Sequence, residues 1–255
     1  MLEVRNLTKV YGALTAVDGV SFVARPGEIL GYLGPNGSGK TTTVGMVTGL
    51  LKPTSGEVLF EGKDIQEDLR AYKLRLGYVP EEPALYPYLT GREYLELVAR
   101  LRHISEGRLG EKIPRLLELL SLPDSFATIA AYSKGMKQKV LVAAAILHNP
   151  DVLILDEPFS GLDVESAMVL REVITDLARD GKTILFSSHL LEVVEKVCAR
   201  VLILSKGRVV AEDTVERLCE LQKQPKLERV FSELTAQTDP VTTANKILTV
   251  VKSGG

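Results

Sequence analysis

The sequence predicts an α/β fold with a mostly parallel core sheet and an inserted helical subdomain. Three observations carry that prediction. Short, β-branched apolar runs alternate with helical stretches, the pattern of strands joined by crossover helices. Val152-Leu153-Ile154-Leu155 and Thr183-Ile184-Leu185-Phe186 are continuously apolar, as central strands covered on both faces require. From about Pro83 to Leu147 the pattern turns almost wholly helical, which marks the insertion.

In chain order, strands are expected at Leu2–Asn6, Ala16–Val23, Glu28–Leu33, Val58–Phe60, Leu76–Val79, Val152–Asp156, Thr183–Ser187, Val201–Leu204 and Val209–Glu212. Each is a β-branched or aromatic run bounded by turn formers. Helices are expected at Thr41–Leu50, Gly91–Leu101, Glu111–Leu120, Lys134–Leu147, Glu165–Arg179, Leu190–Val197 and Val215–Glu220. Pro83–Pro87 and Pro123–Asp124 are candidate hinges. This gives a domain over 1–222, with an α/β core at 1–82 and 148–222 and a helical subdomain at 83–147. The remainder, 223–255, has a weaker pattern and is expected to be a small appendage with a frayed end.

Composition narrows the function classes. The chain has 255 residues, 45% hydrophobic and 25% charged, enough for a large core. A net charge of −2 argues against a general nucleic-acid binder. Cys198 and Cys219 form no metal-ligand pair, so free thiols in a reducing compartment are expected. No charged-then-apolar leader is expected. The longest apolar run, Val140 to Leu147, is far short of the roughly 20 residues that cross a bilayer. Work at a membrane would need spans supplied by another chain.

The chemistry is concentrated in Gly34-Pro35-Asn36-Gly37-Ser38-Gly39-Lys40-Thr41, which fits the phosphate-binding loop at every required position. Glycines let successive backbone N–H groups turn inward around a triphosphate. Lys40 reaches the outer phosphates and the Thr41 hydroxyl ligates Mg²⁺. A strand enters the loop and a helix leaves it, so the helix N-terminus faces the anion. Val152–Asp156 ends in a second pair of groups. Asp156 would hold Mg²⁺ through its water shell, and Glu157 would polarise an attacking water. That arrangement is expected if the two strands are neighbours.

Further motifs follow in a fixed order: Tyr11 in Thr8-Lys9-Val10-Tyr11-Gly12, then Tyr132-Ser133-Lys134-Gly135-Met136-Lys137-Gln138-Lys139, Phe159-Ser160-Gly161-Leu162-Asp163 and Ser187-Ser188-His189. With these the chain resembles the nucleotide-binding subunit of an ATP-binding cassette transporter. The resemblance implies a phosphate-loop NTPase core, a mostly parallel sheet with an antiparallel N-terminal β part, and the inserted helical subdomain. It implies ATP and Mg²⁺ as ligands. The ATP-binding set would be Tyr11, stacked on adenine, with Asn36, Gly37, Ser38, Gly39, Lys40, Thr41 and Thr42. Two subunits, identical or paired, would sandwich ATP head to tail. Ser133, Lys134, Gly135 and Met136 would then act in trans, and Asp163 would touch the opposite subunit. His189 would join Glu157 as a catalytic residue. The metal set would be Thr41, Glu81 and, through water, Asp156.

Two departures from the family pattern stand out. Tyr132, Lys134 and Met136 replace the usual Leu, Gly and Gln of the signature, while Ser133 and Gly135 are kept. Glu81, in Val79-Pro80-Glu81-Glu82-Pro83, stands where the family has Gln; a carboxylate is a hard oxygen ligand that suits Mg²⁺. Both departures resemble a branch serving bacterial exporters of drugs, lipids, polysaccharides or ions. The resemblance therefore implies a motor subunit at the cytoplasmic face of the cell membrane, bound to a membrane-spanning partner and not to nucleic acid. Leu85, Tyr86, Tyr88 and Tyr94 are candidates to line the partner's groove. The alternative is a soluble cassette ATPase acting on nucleic acid or ribosomes. A phosphate-loop kinase or GTPase would leave the Ser160–Asp163 run without a role. His103 and His148 match no motif and are expected at the surface.

Overall fold

The computed structural model describes residues 1–122 and 126–235, without the side chains of Glu106 and Arg108. The expected Pro123–Asp124 hinge and the tail beyond 235 lie outside the described residues. Strands are β1 (Leu2–Tyr11), β2 (Leu14–Ala24), β3 (Ile29–Leu33), β4 (Ser55–Phe60), β5 (Lys63–Asp64), β6 (Leu76–Val79), β7 (Val152–Asp156), β8 (Thr183–Ser187), β9 (Arg200–Ser205) and β10 (Arg208–Thr214). Helices are α1 (Lys40–Val47), α2 (Leu69–Arg75), α3 (Gly91–Leu101), α4 (Glu106–Leu119), α5 (Lys134–Ile146), α6 (Val164–Arg179), α7 (Leu191–Val197), α8 (Val215–Leu221) and α9 (Leu227–Leu234).

Two sheets result. One is antiparallel, in the order β2-β1-β4-β5; the other runs β10-β9-β3-β8-β7-β6, parallel except where β10 folds back on β9. The period-2 pleat divides the central strands between two cores. Leu30, Tyr32, Ile154, Leu185, Leu202 and Leu204 face a core shared with β1, β2, β4 and α1. Ile29, Leu33, Leu153, Leu155, Phe186, Val201 and Ile203 face the other, covered by α5, α6, α7 and α9. A third core holds α3, α4 and α5 together.

Helix α5 explains the apolar run Val140 to Leu147. Leu141, Val142 and Ala145 pack on the sheet, whereas Val140, Ala143, Ala144 and Leu147 pack into the helical subdomain. A helix apolar on all sides is one buried on all sides.

Three elements were not expected. Helix α2 is short and carries Lys and Arg, so its periodicity is weak; the Asp68 carboxylate starts it by accepting from Ala71 N at 2.9 Å. Strand β5 has two residues and closes the β4 hairpin. Helix α9 buries Leu227 and Val230 in the second core, and the Glu195 carboxylate accepts from Leu227 N at 2.7 Å. His148 also departs from expectation. It is half-buried with a ring nitrogen 3.1 Å from Leu76 O, and burial together with the Arg102 charge lowers it to about 4. His103 is exposed.

Candidate nucleotide site

The phosphate loop spans the gap from β3 to α1. Gly39 has φ 100, where an L side chain is strained, and a Cβ there would lie 2.5 Å from Ala16 O. Lys40 Nζ donates to Gly34 O and Pro35 O, closing the loop on itself. Burial lowers the Lys40 ammonium, while Asp156, Glu157 and Glu81 oppose that shift. Ser38 lies beneath the loop, with its amide donating to Pro35 O at 3.1 Å and its hydroxyl unpaired.

A cavity of about 600 Å³ opens over this loop. Its walls include Tyr11, Asn36, Gly37, Gly39, Lys40, Thr41, Thr42, Glu81, Asp156, Glu157 and His189. Of the residues expected to hold nucleotide within one chain, only Ser38 is missing from the wall. Tyr11 is 45% exposed, with Lys9 Nζ 5.2 Å from its ring centroid. Ser133, Lys134, Gly135 and Met136 lie away from this cavity.

The two acids are not brought there by neighbouring strands, which corrects the expectation. β8 stands between β3 and β7. Register pairs Asp156 with Ser187, and the Ser187 hydroxyl donates to Asp156 Oδ1 at 2.5 Å. Ser188 Oγ lies 3.4 Å from Glu157 Oε2 and accepts from Leu190 N. The intervening strand thus supplies one serine for each acid, a role the sequence did not signal because Ser187 and Ser188 lie 31 residues from their partners.

Glu157 has φ 50, an uncommon backbone state for its type. Burial, then the charge of Asp156, raises its carboxyl to about 7, despite the His189 backbone bond and Lys40. His189 Nε2 is 3.5 Å from Glu157 Oε1. Such a group ionises near neutrality, as a general base should.

Lys206 and Gly207 were also missed. Both have positive φ and form the tight β9–β10 turn. Gly207 N donates to Ser38 O, its carbonyl accepts from Asp18 N, and both residues line the cavity.

The signature segment has its own frame. Ser133 caps α5 by accepting from Met136 N at 3.2 Å, which uses one of the hydroxyl's two lone pairs and leaves its O–H to donate. Gly135 lies so close to the Gly161 carbonyl that a Cβ would overlap it. Asp163 caps α6, accepting from Ser166 N and Ser166 Oγ at 2.8 Å each, and those bonds lower its carboxyl. Gln138 is fully buried and donates to Pro158 O at 3.1 Å, tying α5 to the segment after Glu157.

The donor set suits Mg²⁺ with a triphosphate: the Thr41 hydroxyl and the Glu81 and Asp156 carboxylates, with the Lys40 ammonium, stand around one cavity, all hard oxygen or cationic groups. Fold and cavity together define a phosphate-loop NTPase.

Comparison with known proteins specifies the class further. The ABC transporter family model matches residues 17–160. An uncharacterized ABC transporter ATP-binding protein of Nostoc sp. is 42% identical over 223 residues, covering 84% of this chain and 66% of that protein, so the chain spans about two thirds of its length. The linearmycin resistance ATP-binding protein LnrL of Bacillus subtilis is 37% identical, covering 86% of this chain and 71% of that protein. Among solved structures, an ATP-binding subunit of an ABC transporter superposes with a TM-score of 0.87 at 35% identity, covering 92% of this chain and 99% of the other. The dimeric bacterial ABC transporter cassette MJ0796 gives 0.76 at 27% identity, covering 84% and 98%. The chain belongs to the ABC transporter family and is an ATPase of that family.

Proposed function

We propose that the chain is the ATP-hydrolysing motor subunit of a membrane transporter of the exporter branch, with its cassette over 1–222 and the helical subdomain over 83–147. The observation that carries the reading is the separation of its two half-sites. Phosphate loop, Glu81, Asp156, Glu157 and His189 share one cavity, while Ser133 to Met136 lie elsewhere at the start of α5. A complete site then needs the signature of a second cassette, and MJ0796 is a dimeric relative. The name of the linearmycin resistance relative supports the exporter branch.

In this reading Lys40 and the loop amides bind the phosphates, and Tyr11 stacks on the base. Thr41, Glu81 and Asp156 are the residues that would hold Mg²⁺, which supplies positive charge to the phosphate oxygens when bound. Glu157 takes a proton from water at its carboxylate, with Ser188 and His189 fixing its orientation. Ser133 and Gly135 of the paired cassette complete the phosphate contacts, and Asp163 lies at the same face. Loss of the outer phosphate removes the bridge between subunits, so they part. Exposed Tyr86 and Tyr88, 62% and 87% accessible, beside Leu85 and Tyr94 suit a helix of the membrane-spanning partner. The likeness to ABC transporter ATP-binding proteins supports a peripheral place on the cytoplasmic face, and among the described residues no helix is long and apolar enough to cross a membrane.

Glu157→Gln tests the reading. Hydrolysis should fall by about 10²–10⁴-fold while ATP binding persists, so the variant should elute as a dimer with Mg²⁺ and ATP and as a monomer with ADP. A variant that hydrolyses at the parent rate would refute the role of Glu157; one monomeric under both conditions would refute pairing by the isolated chain.

A further inference from the structure

The β9–β10 turn brings to the nucleotide cavity a cation that none of the motifs employs. Three segments meet at the Ala16 carbonyl of β2. A Cβ on Gly39 of the phosphate loop would lie 2.5 Å from Ala16 O, and one on Gly207 of the turn 2.9 Å from it. Gly207 N donates to Ser38 O at 2.9 Å, and Gly207 O accepts from Asp18 N at 2.8 Å, so the turn is fixed to both loop and strand. Lys206 is thereby held at the seam between two ends of the cavity. On one side stand Tyr11, Leu14, Thr15 and Ala16; on the other stands the phosphate loop with Lys40.

The acids nearby are engaged elsewhere. Glu81, Asp156 and Glu157 act on the Lys40 ammonium, and Asp18 takes two bonds from Arg208, at 2.5 and 2.8 Å. Among the described residues Lys206 has no ion pair, although it is exposed and lines the cavity. Its backbone has φ 49, a state that Asn or Gly adopts at lower cost, so the turn alone does not call for Lys.

We propose that the Lys206 ammonium binds the α-phosphate of the nucleotide. A nucleotide with its base on Tyr11 and its outer phosphates at Lys40 crosses the seam with its ribose and α-phosphate. Of these only the α-phosphate is an anion, and a point charge on a flexible stem suits its oxygens. The two lysines then divide the phosphate chain between them. The proposal rests on the placement of ATP in this cavity and adds a contact from outside the phosphate loop.

Fluorescence titration of the full chain with nucleotide tests it. Lys206→Met, which keeps the stem and removes the charge, should weaken ATP and ADP by the same factor, about tenfold. Lys206→Arg should restore most of that loss. Lys206→Asn, which suits the left-handed backbone, should lose the same affinity without a lower melting temperature, separating the charge from the integrity of the turn. As competitors, AMP should lose affinity for Lys206→Met by a similar factor, whereas adenosine should compete equally with parent and variant. Added salt should weaken ATP binding more in the parent than in the variant. Unchanged ATP affinity in Lys206→Met would overturn the proposal, as would a loss confined to ATP or one shared by adenosine. Lys40→Ala tests the placement separately. If it binds ATP like the parent, the placement fails; if it loses affinity while Lys206→Met does not, only the Lys206 contact is refuted.

Discussion

Glu157 gathers most of the site's chemistry into one titration. Its carboxyl lies near 7 because it is largely removed from water and beside Asp156. If its ionised form is the base, the rate under single-turnover conditions should rise about tenfold per pH unit below that value and level off above it; a flat profile between about pH 6 and about pH 8 would exclude Glu157 as the base. The same shift sets stability. The folded carboxyl holds its proton up to about 7, against 4.5 for the free group, so the fold binds more protons than the unfolded chain in that window. Stability from this group is therefore present at the lower end and lost as pH rises through about 7. Melting of Glu157→Gln should match the parent at the acid end of the window and exceed it at the alkaline end. The roles proposed for Lys40, Thr41, Asp156 and Glu157 could be read from sequence because loop and strand-end motifs are local. Ser187 and Ser188 could not, since strand order alone sets them beside Asp156 and Glu157, nor could Lys206, which the β9–β10 turn brings to the cavity wall.

At the scale of elements, α5 and the run from Glu157 to Asp163 behave as a pair. Gly135 meets the Gly161 carbonyl, and Gln138 bonds to Pro158 O. Gly135→Ala should push the start of α5 away from that run, displacing Ser133 by a fraction of an ångström or more. We expect ATPase activity to fall on the order of 10²-fold, with nucleotide affinity of the lone chain unchanged by fluorescence titration; parallel loss of both would mean a general folding defect. Element boundaries were most legible where apolar runs are short and buried or where a cap marks the start: β6, β7 and β8, and α3 with its Thr90–Glu93 capping box, have the bounds that the sequence predicts. α2 was not legible, because a seven-residue helix with three cations has no apolar face long enough to register.

Across the whole molecule, the two sheets are tied at the end remote from the nucleotide. Arg75 bonds both carboxylate oxygens of Glu61, at 2.6 and 2.7 Å, and Asp151 at 2.6 Å, with its guanidinium 4.5 Å from the Phe60 centroid. Because this network is partly exposed, solvent screens it, and Arg75→Ala should cost about 1–2 kcal/mol. Thermal melting should drop while nucleotide affinity holds; a loss of affinity would show that the tie also shapes the phosphate loop. The α/β class and the inserted helical block were legible from alternation alone, whereas the place of β8 between β3 and β7 was not, since periodicity carries no information on strand order.

The double burial of α5 has a consequence for how the molecule opens. Its amides report on the sheet and on the helical subdomain at once, so the subdomain cannot melt as an independent cooperative unit while α5 stays wound. In native-state hydrogen exchange, α5 should be among the last segments to exchange, with α3 and α4 released earlier. Any rotation of the subdomain during a catalytic cycle must then pivot on α5 as a rigid axle, with bending confined to the connections on either side of it.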